Sequence, residues 1–149
     1  TVTGVQTCAL PIFRFWGTPQ PDAYSAEQPL TVLLHGWMDV GASFQFMVDV
    51  LKQRSSWQGR TIVTLDWQGF GDTYVKNGAL PSGHYTYVDY LADLDALLEK
   101  LSPNVPVHLL GHSMGGNIAM LYAGVRPHRV AKLVNLEGVG LPEIGRAHV

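Results

Sequence analysis

The chain has 149 residues, 46% of them apolar and 15% charged, with a formal charge of -2 and a pI near 6.2. That balance suits a single globular domain, and with no basic cluster or acidic run it excludes a nucleic-acid-binding surface as the chain's function. No apolar stretch approaches the roughly 20 residues needed to cross a bilayer, so no membrane span is expected; the location stays open, with the cytoplasm as the leading expectation.

The two ends read differently from what lies between them. Residues 1–12 lack the basic start and sustained apolar run of a signal peptide. If Thr7 to Ile12 (TCALPI) is encoded ACG TGT GCT CTT CCG ATC, the reverse complement read from its second base is ATC GGA AGA GCA CAC GT. That sequence encodes Ile-Gly-Arg-Ala-His and begins a valine codon, which matches Ile144 to Val149. The inverted repeat, and the likeness of both ends to a translated sequencing adapter, mark residues 1–12 and 143–149 as expected non-native tails around a domain of 13–142. Tails of that origin have no reason to complement a core and are expected to pack against nothing. Cys8, the only cysteine, falls in the first tail, so cysteine usage carries no information about redox compartment.

From Phe13, a stretch punctuated by Pro19, Pro21 and Pro29 reads as a loop, followed by the short apolar run Leu30 to Leu34 as a buried strand. Ser43 is placed to cap a helix in which Phe44, Met47, Val48 and Leu51 form one apolar stripe, ending near Arg54. Thr61 to Leu65 is β-branched and brief, a second strand, and the loop after it is rich in glycine. Tyr87, Leu91, Leu94, Leu98 and Leu101 mark a second amphipathic helix, stopped by Pro103. Val105 to Leu110 is a third strand, Gly115 to Val125 a third helix and Val130 to Leu136 a fourth strand. The order βαβαβαβ, with strands apolar on both faces, predicts an α/β fold: a mostly parallel sheet with helices on both faces.

The sharpest chemical signal is Gly111-His112-Ser113-Met114-Gly115, a G-x-S-x-G lying between the third strand and the third helix. A nucleophile on so tight a turn adopts a strained backbone, and glycines two residues to either side remove Cβ atoms that would collide there. The helix N-terminus that follows favours negative charge developing on a substrate oxygen, with the Met114 N–H as one donor. Taken alone, the pattern also fits a glycine-rich helix cap; its position between strand and helix argues against that.

Three motifs in order, LLHGW at Leu33 to Trp37, DWQGFGDT at Asp66 to Thr73 and GHSMGG at Gly111 to Gly116, resemble the α/β-hydrolase family. The resemblance implies a partial fold cut before the lid and last strands, with Ser113 as nucleophile and the backbone N–H groups of Trp37 and Met114 as oxyanion donors. It makes His35 a turn residue and Asp66 a loop-fixing residue. Where the family has Arg, this chain has Gln68, so that ion pair is expected to be absent.

A Ser-acid-His order places both partners after Ser113. Glu137, at the end of the fourth strand, is a candidate acid. His112 is expected to be turned away by the elbow, His128 to sit on the opposite edge, and His84 and His108 to be loop and strand positions. The general base is therefore expected beyond this chain, which alone should be inactive. The implied parent is a serine hydrolase of carboxylic esters or related acyl substrates, working through an acyl-serine and taking a small-molecule substrate with no metal or organic cofactor. C–C hydrolysis, acyl transfer, perhydrolysis and a non-catalytic ligand-binding relative stay open as alternatives.

Overall fold

The computed structural model describes residues 11–73 and 84–139. Five strands form one sheet: β1 (Phe13–Trp16), β2 (Thr31–Leu34), β3 (Ile62–Leu65), β4 (Val107–His112) and β5 (Val130–Leu136), in spatial order β1-β3-β2-β4-β5. β2 to β5 are parallel, with Leu33 opposite both Thr64 and Leu110, and Leu110 opposite Val134. Among the described residues the connections include α1 (Gln45–Lys52), α2 (Tyr87–Leu101) and α3 (Met114–Val125). Among the described residues, no helix is long and apolar enough to cross a membrane.

Strand alternation sends the two sets of side chains to opposite faces. Val32, Leu34, Val63, Leu65, Val107 and Leu109 pack in one cluster with Leu94, Leu97 and Leu98 of α2 and Ile118, Ala119 and Tyr122 of α3. Leu33 and Ile62 pack on the other side with Phe44 and with Val48 of α1. The sheet is thus covered on both faces, the reason its strands carry apolar residues without a break. β5 is different: among the described residues β4 is its only sheet neighbour, and Val134 and Leu136 are nearly half exposed.

Three expectations need correction. The stretch read as a loop from Phe13 contains β1, antiparallel to β3 with Arg14 opposite Thr64. Packing also begins before Phe13, inside the stretch expected to touch nothing. Pro11 is buried, the Ile12 N–H donates to Thr73 Oγ1 at 2.7 Å, and the Ile12 carbonyl accepts from the Asp66 N–H at 2.8 Å. The rest of both tails, residues 1–10 and 140–149, lies outside the described residues, as do Gly78, Pro81 and Gly83 of the glycine-rich loop. Ser43, finally, does not cap α1. It lies within a 3-10 turn, Gly41–Phe44, its hydroxyl donating to Asp39 Oδ2 and to the Val40 carbonyl. The cap that does form is on α2, where the Thr86 and Asp89 side chains exchange bonds with each other's backbone N–H in a capping box.

Candidate active site

Ser113 stands alone between the last residue of β4 and the first of α3, with φ 51° and ψ -116°. A left-handed φ on a non-glycine residue is held only by what surrounds it. The Ser113 N–H donates to the Leu136 carbonyl of β5 at 2.8 Å, and the Ser113 carbonyl accepts from Asn117 N–H one turn into α3. The glycines are required by contact: a Cβ on Gly111 would overlap the Gly115 carbonyl, and one on Gly115 would overlap the Leu34 carbonyl of β2. α3 therefore starts directly against the C-terminal ends of β2 and β4, and Ser113 lies at that edge.

The turn after β2 lies beside it. A Cβ built on Gly36 would come 3.2 Å from Ser113 Cβ. His35 fixes this turn from below. It is fully buried; its Nε2 accepts from the Trp67 N–H at 3.0 Å, so the hydrogen resides on Nδ1, which donates to the Gly36 carbonyl at 2.8 Å. Burial pushes its pKa down, so the ring stays neutral with both nitrogens occupied, as a turn residue and not a base.

Asp66 organises the loop that follows β3. Buried, it accepts from the Gly41 N–H (2.7 Å) and the Asp72 N–H (3.0 Å) and pairs with the Arg14 guanidinium (3.2 Å), which also reaches Asp72 at 2.6 Å. Arg14 went unnoticed in the sequence because its partners lie more than fifty positions away.

Gln68 does have a partner. Its Nε2 donates to Asp93 Oδ1 of α2 at 2.8 Å, while the buried Asp93 Oδ2 has no hydrogen-bond partner. Burial, helped by nearby Asp89, pushes the Asp93 carboxyl up to about 6 against the single bond from Gln68. A carboxyl whose pKa rises on folding binds more protons in the native state, so the contribution of Asp93 to stability is most favourable below about pH 4 and is lost as pH rises through about 6. Asp93→Asn is expected to abolish that loss and to gain on the order of 2 kcal/mol at pH 7.5. Urea titrations of both proteins between pH 4 and pH 8 check this; parallel pH profiles would refute it.

The remaining candidates separate. Glu137 follows β5 with φ 60°, is 85% exposed, and its Oε2 lies 3.7 Å from His112 Nε2, while His112 Nδ1 lies beside Gly36 in the turn after β2. His128 lies in the 3-10 turn that precedes β5, at the opposite edge of the sheet from Ser113. His108 is level with Thr31, at the N-terminal end of β4. His84 is exposed, just before α2.

Ser113, Met114 and Trp37 do meet, around a cavity of about 440 Å3 that also takes in Tyr85, Tyr87, Tyr90 and Asn117. Trp37, 65% exposed, stands edge-on to Phe70 at 5.3 Å. The aromatic wall from the start of α2 was missed by sequence reasoning. Only the Tyr-x-Tyr at Tyr85 and Tyr87 hinted at it, and helical spacing made Tyr87 look like ordinary core.

The chain is similar to known proteins in sequence and in fold. Over 121 residues, 78% of this chain, the sequence is 36% identical to an sn-1-specific diacylglycerol lipase of Mus musculus, covering 36% of that protein. A serine hydrolase-like protein of Dictyostelium discoideum is 29% identical over 140 residues, 93% of this chain and 34% of the relative. The chain thus spans about a third of the length of the curated relatives it matches. Among solved structures, the thioesterase domain from the curacin biosynthetic pathway superposes with a TM-score of 0.65 at 28% identity, covering 83% of this chain and 38% of the other. A family model described as alpha/beta hydrolase fold matches residues 29–148, and with the strained serine between β4 and α3 this shows that the chain belongs to the α/β-hydrolase family.

Proposed function

We propose that this chain is the N-terminal part of a serine hydrolase that cleaves carboxylic esters or related acyl substrates through an acyl-serine intermediate. The observation that carries the reading is Ser113 at φ 51°, ψ -116°, at the head of α3 and on the wall of a cavity. In the proposed reaction Ser113 Oγ bonds to the acyl carbon, the carbonyl electrons move onto oxygen, and the backbone N–H groups of Trp37 and Met114 receive that charge. The tetrahedral species collapses with loss of the alkoxide or thiolate, which takes the proton removed from Ser113. Water then repeats the sequence and frees the acid.

We propose that the proton carrier is a histidine outside the described residues. His35 is neutral and fully engaged. Glu137 is the candidate acid to hold that histidine. The lipase and thioesterase names of the relatives support acyl chemistry, and the mixed apolar and tyrosine lining of the cavity suits an acyl chain beside a polar ester.

The test is a fluorophosphonate probe on the whole hydrolase, followed by peptide mapping and by product analysis on matched ester and thioester substrates. A covalent adduct on Ser113 and release of free acid are expected. Release of products from a C–C bond with no ester turnover would replace the acyl reading, and a folded protein that forms no adduct would point to a binding relative.

A further inference from the structure

A second concave site lies on the other edge of the sheet. It is a cavity of about 650 Å3 between the β1–β2 loop and the segment joining α1 to β3, bounded by Gly17 after β1 and Thr61 before β3. Ser113 follows the C-terminal end of β4, whereas Thr61 precedes the N-terminal end of the parallel β3, so the two sites are separated by the sheet.

The lining is chemically one-sided. Lys52 at the end of α1 and Arg60 contribute two cations, and no carboxylate lines the cavity, although acidic residues outnumber basic ones in the chain by 12 to 10. Glu27, the acid beside the cavity residue Gln28, has its carboxylate on the Ser25 hydroxyl at 2.8 Å. Arg60 is held in place. Its Nε donates to the Ser56 carbonyl at 3.0 Å, its Nη2 to the Glu27 carbonyl at 3.4 Å, and its guanidinium lies 5.9 Å from the centre of the Trp57 ring. Such anchoring orders a guanidinium before any ligand arrives, which lowers the entropic cost of binding.

Tyr24 adds an aromatic ring to the lining. Its hydroxyl is turned away from solvent, toward the Gln20 backbone and the Thr61 side chain, and burial raises its pKa. The rings of Trp57 and Tyr24 line the same cavity as both cations, and aromatic rings supply flat apolar surface.

We propose that this cavity binds a small aromatic anion, its carboxylate or phosphate oxygens held by Lys52 and Arg60 and its ring set against Trp57 and Tyr24. The site is independent of the serine chemistry and would let such a ligand bind without occupying the acyl cavity.

The test titrates 2-naphthoate, with 2-naphthamide as its uncharged counterpart and AMP as a phosphate-bearing ring, into Ser113→Ala protein while following tryptophan fluorescence. Saturable binding of at least one anion is expected, with 2-naphthamide weaker by about tenfold or more. Lys52→Gln and Arg60→Gln should each weaken the anion by a similar factor and reduce the dependence of its affinity on salt. Preference among the two anions distinguishes a carboxylate site from a phosphate site. Because Arg60 also anchors its own loop, Lys52→Glu, at an exposed helix end, serves as the variant that keeps the fold, and its melt should match the parent. Equal affinity for 2-naphthoate and its amide, unchanged binding in a folded Lys52→Glu protein, or no binding of either anion at millimolar concentration would overturn the proposal.

Discussion

Gly115→Ala is expected to destabilise the protein by several kcal/mol or to prevent folding, whereas Gly124→Ala, near the other end of the same helix, should raise stability by up to about 1 kcal/mol. The opposite signs follow from what each new methyl group meets. At Gly115 it would overlap the carbonyl of Leu34 and crowd that of His35. Those are backbone atoms of β2 and the turn beside Ser113, and no rotamer change can move them aside. Relief requires α3 to back away from the sheet, which breaks the contact of Met114, Ile118 and Ala119 with the core and opens the apolar surface that α3 covers, at about 25 cal/mol per Å2. At Gly124 a Cβ has nothing within 4 Å, so the substitution only removes freedom from the unfolded chain and improves helix propensity. Thermal melts of the two variants beside the parent decide the matter. If Gly115→Ala melts with the parent, α3 does not begin against β2.

Ser113→Ala is expected to lower kcat of the whole hydrolase on esters by a factor on the order of 10^6, with its melting temperature nearly unchanged. The size of the loss reflects the covalent route. With the hydroxyl gone there is no acyl-enzyme, and what survives is the binding of substrate and the charge stabilisation supplied by the turn, which water can exploit only slowly. The fold should tolerate the change because the bonds that hold position 113 are made by its backbone, from its N–H to Leu136 and from its carbonyl to Asn117. Alanine at φ 51° carries some strain, but no more than serine does, since both have one Cβ. Turnover of p-nitrophenyl acetate, measured beside the melt, checks both halves. A folded Ser113→Ala protein within about tenfold of the parent rate would place the nucleophile elsewhere.

How much of this could be read from residues alone depended on the distance over which each feature is decided. The runs Leu30 to Leu34 and Thr61 to Leu65 announced buried parallel strands because burial on both faces demands unbroken apolar sequence, whereas Val130 to Leu136 forms the expected strand without the expected burial; the stripes of α1 and α2 announced their buried sides by spacing. The elbow was legible for the same reason: the glycines at 111 and 115 answer collisions that arise within five residues of chain and its adjoining strand. His35 as a turn residue and Asp66 as a loop-fixing residue were also recovered, through the resemblance carried by their motifs.

What escaped depends on partners far off in sequence. β1 is four residues of alternating character that become a strand only by pairing with β3, and nothing local distinguishes them from a loop. The Gln68 position was legible as a missing arginine, but its bond to Asp93 required α2 to lie across the loop. The cavity beside Ser113 draws Trp37 from the turn after β2, Tyr85 from the segment before α2, Tyr90 from α2 and Asn117 from α3. Local sequence determines which segments are strands, helices and tight turns, because backbone sterics and burial act over a few residues. Only the folded chain decides which side chains from separate segments share a wall, because that follows from strand order and helix packing, which no short pattern records.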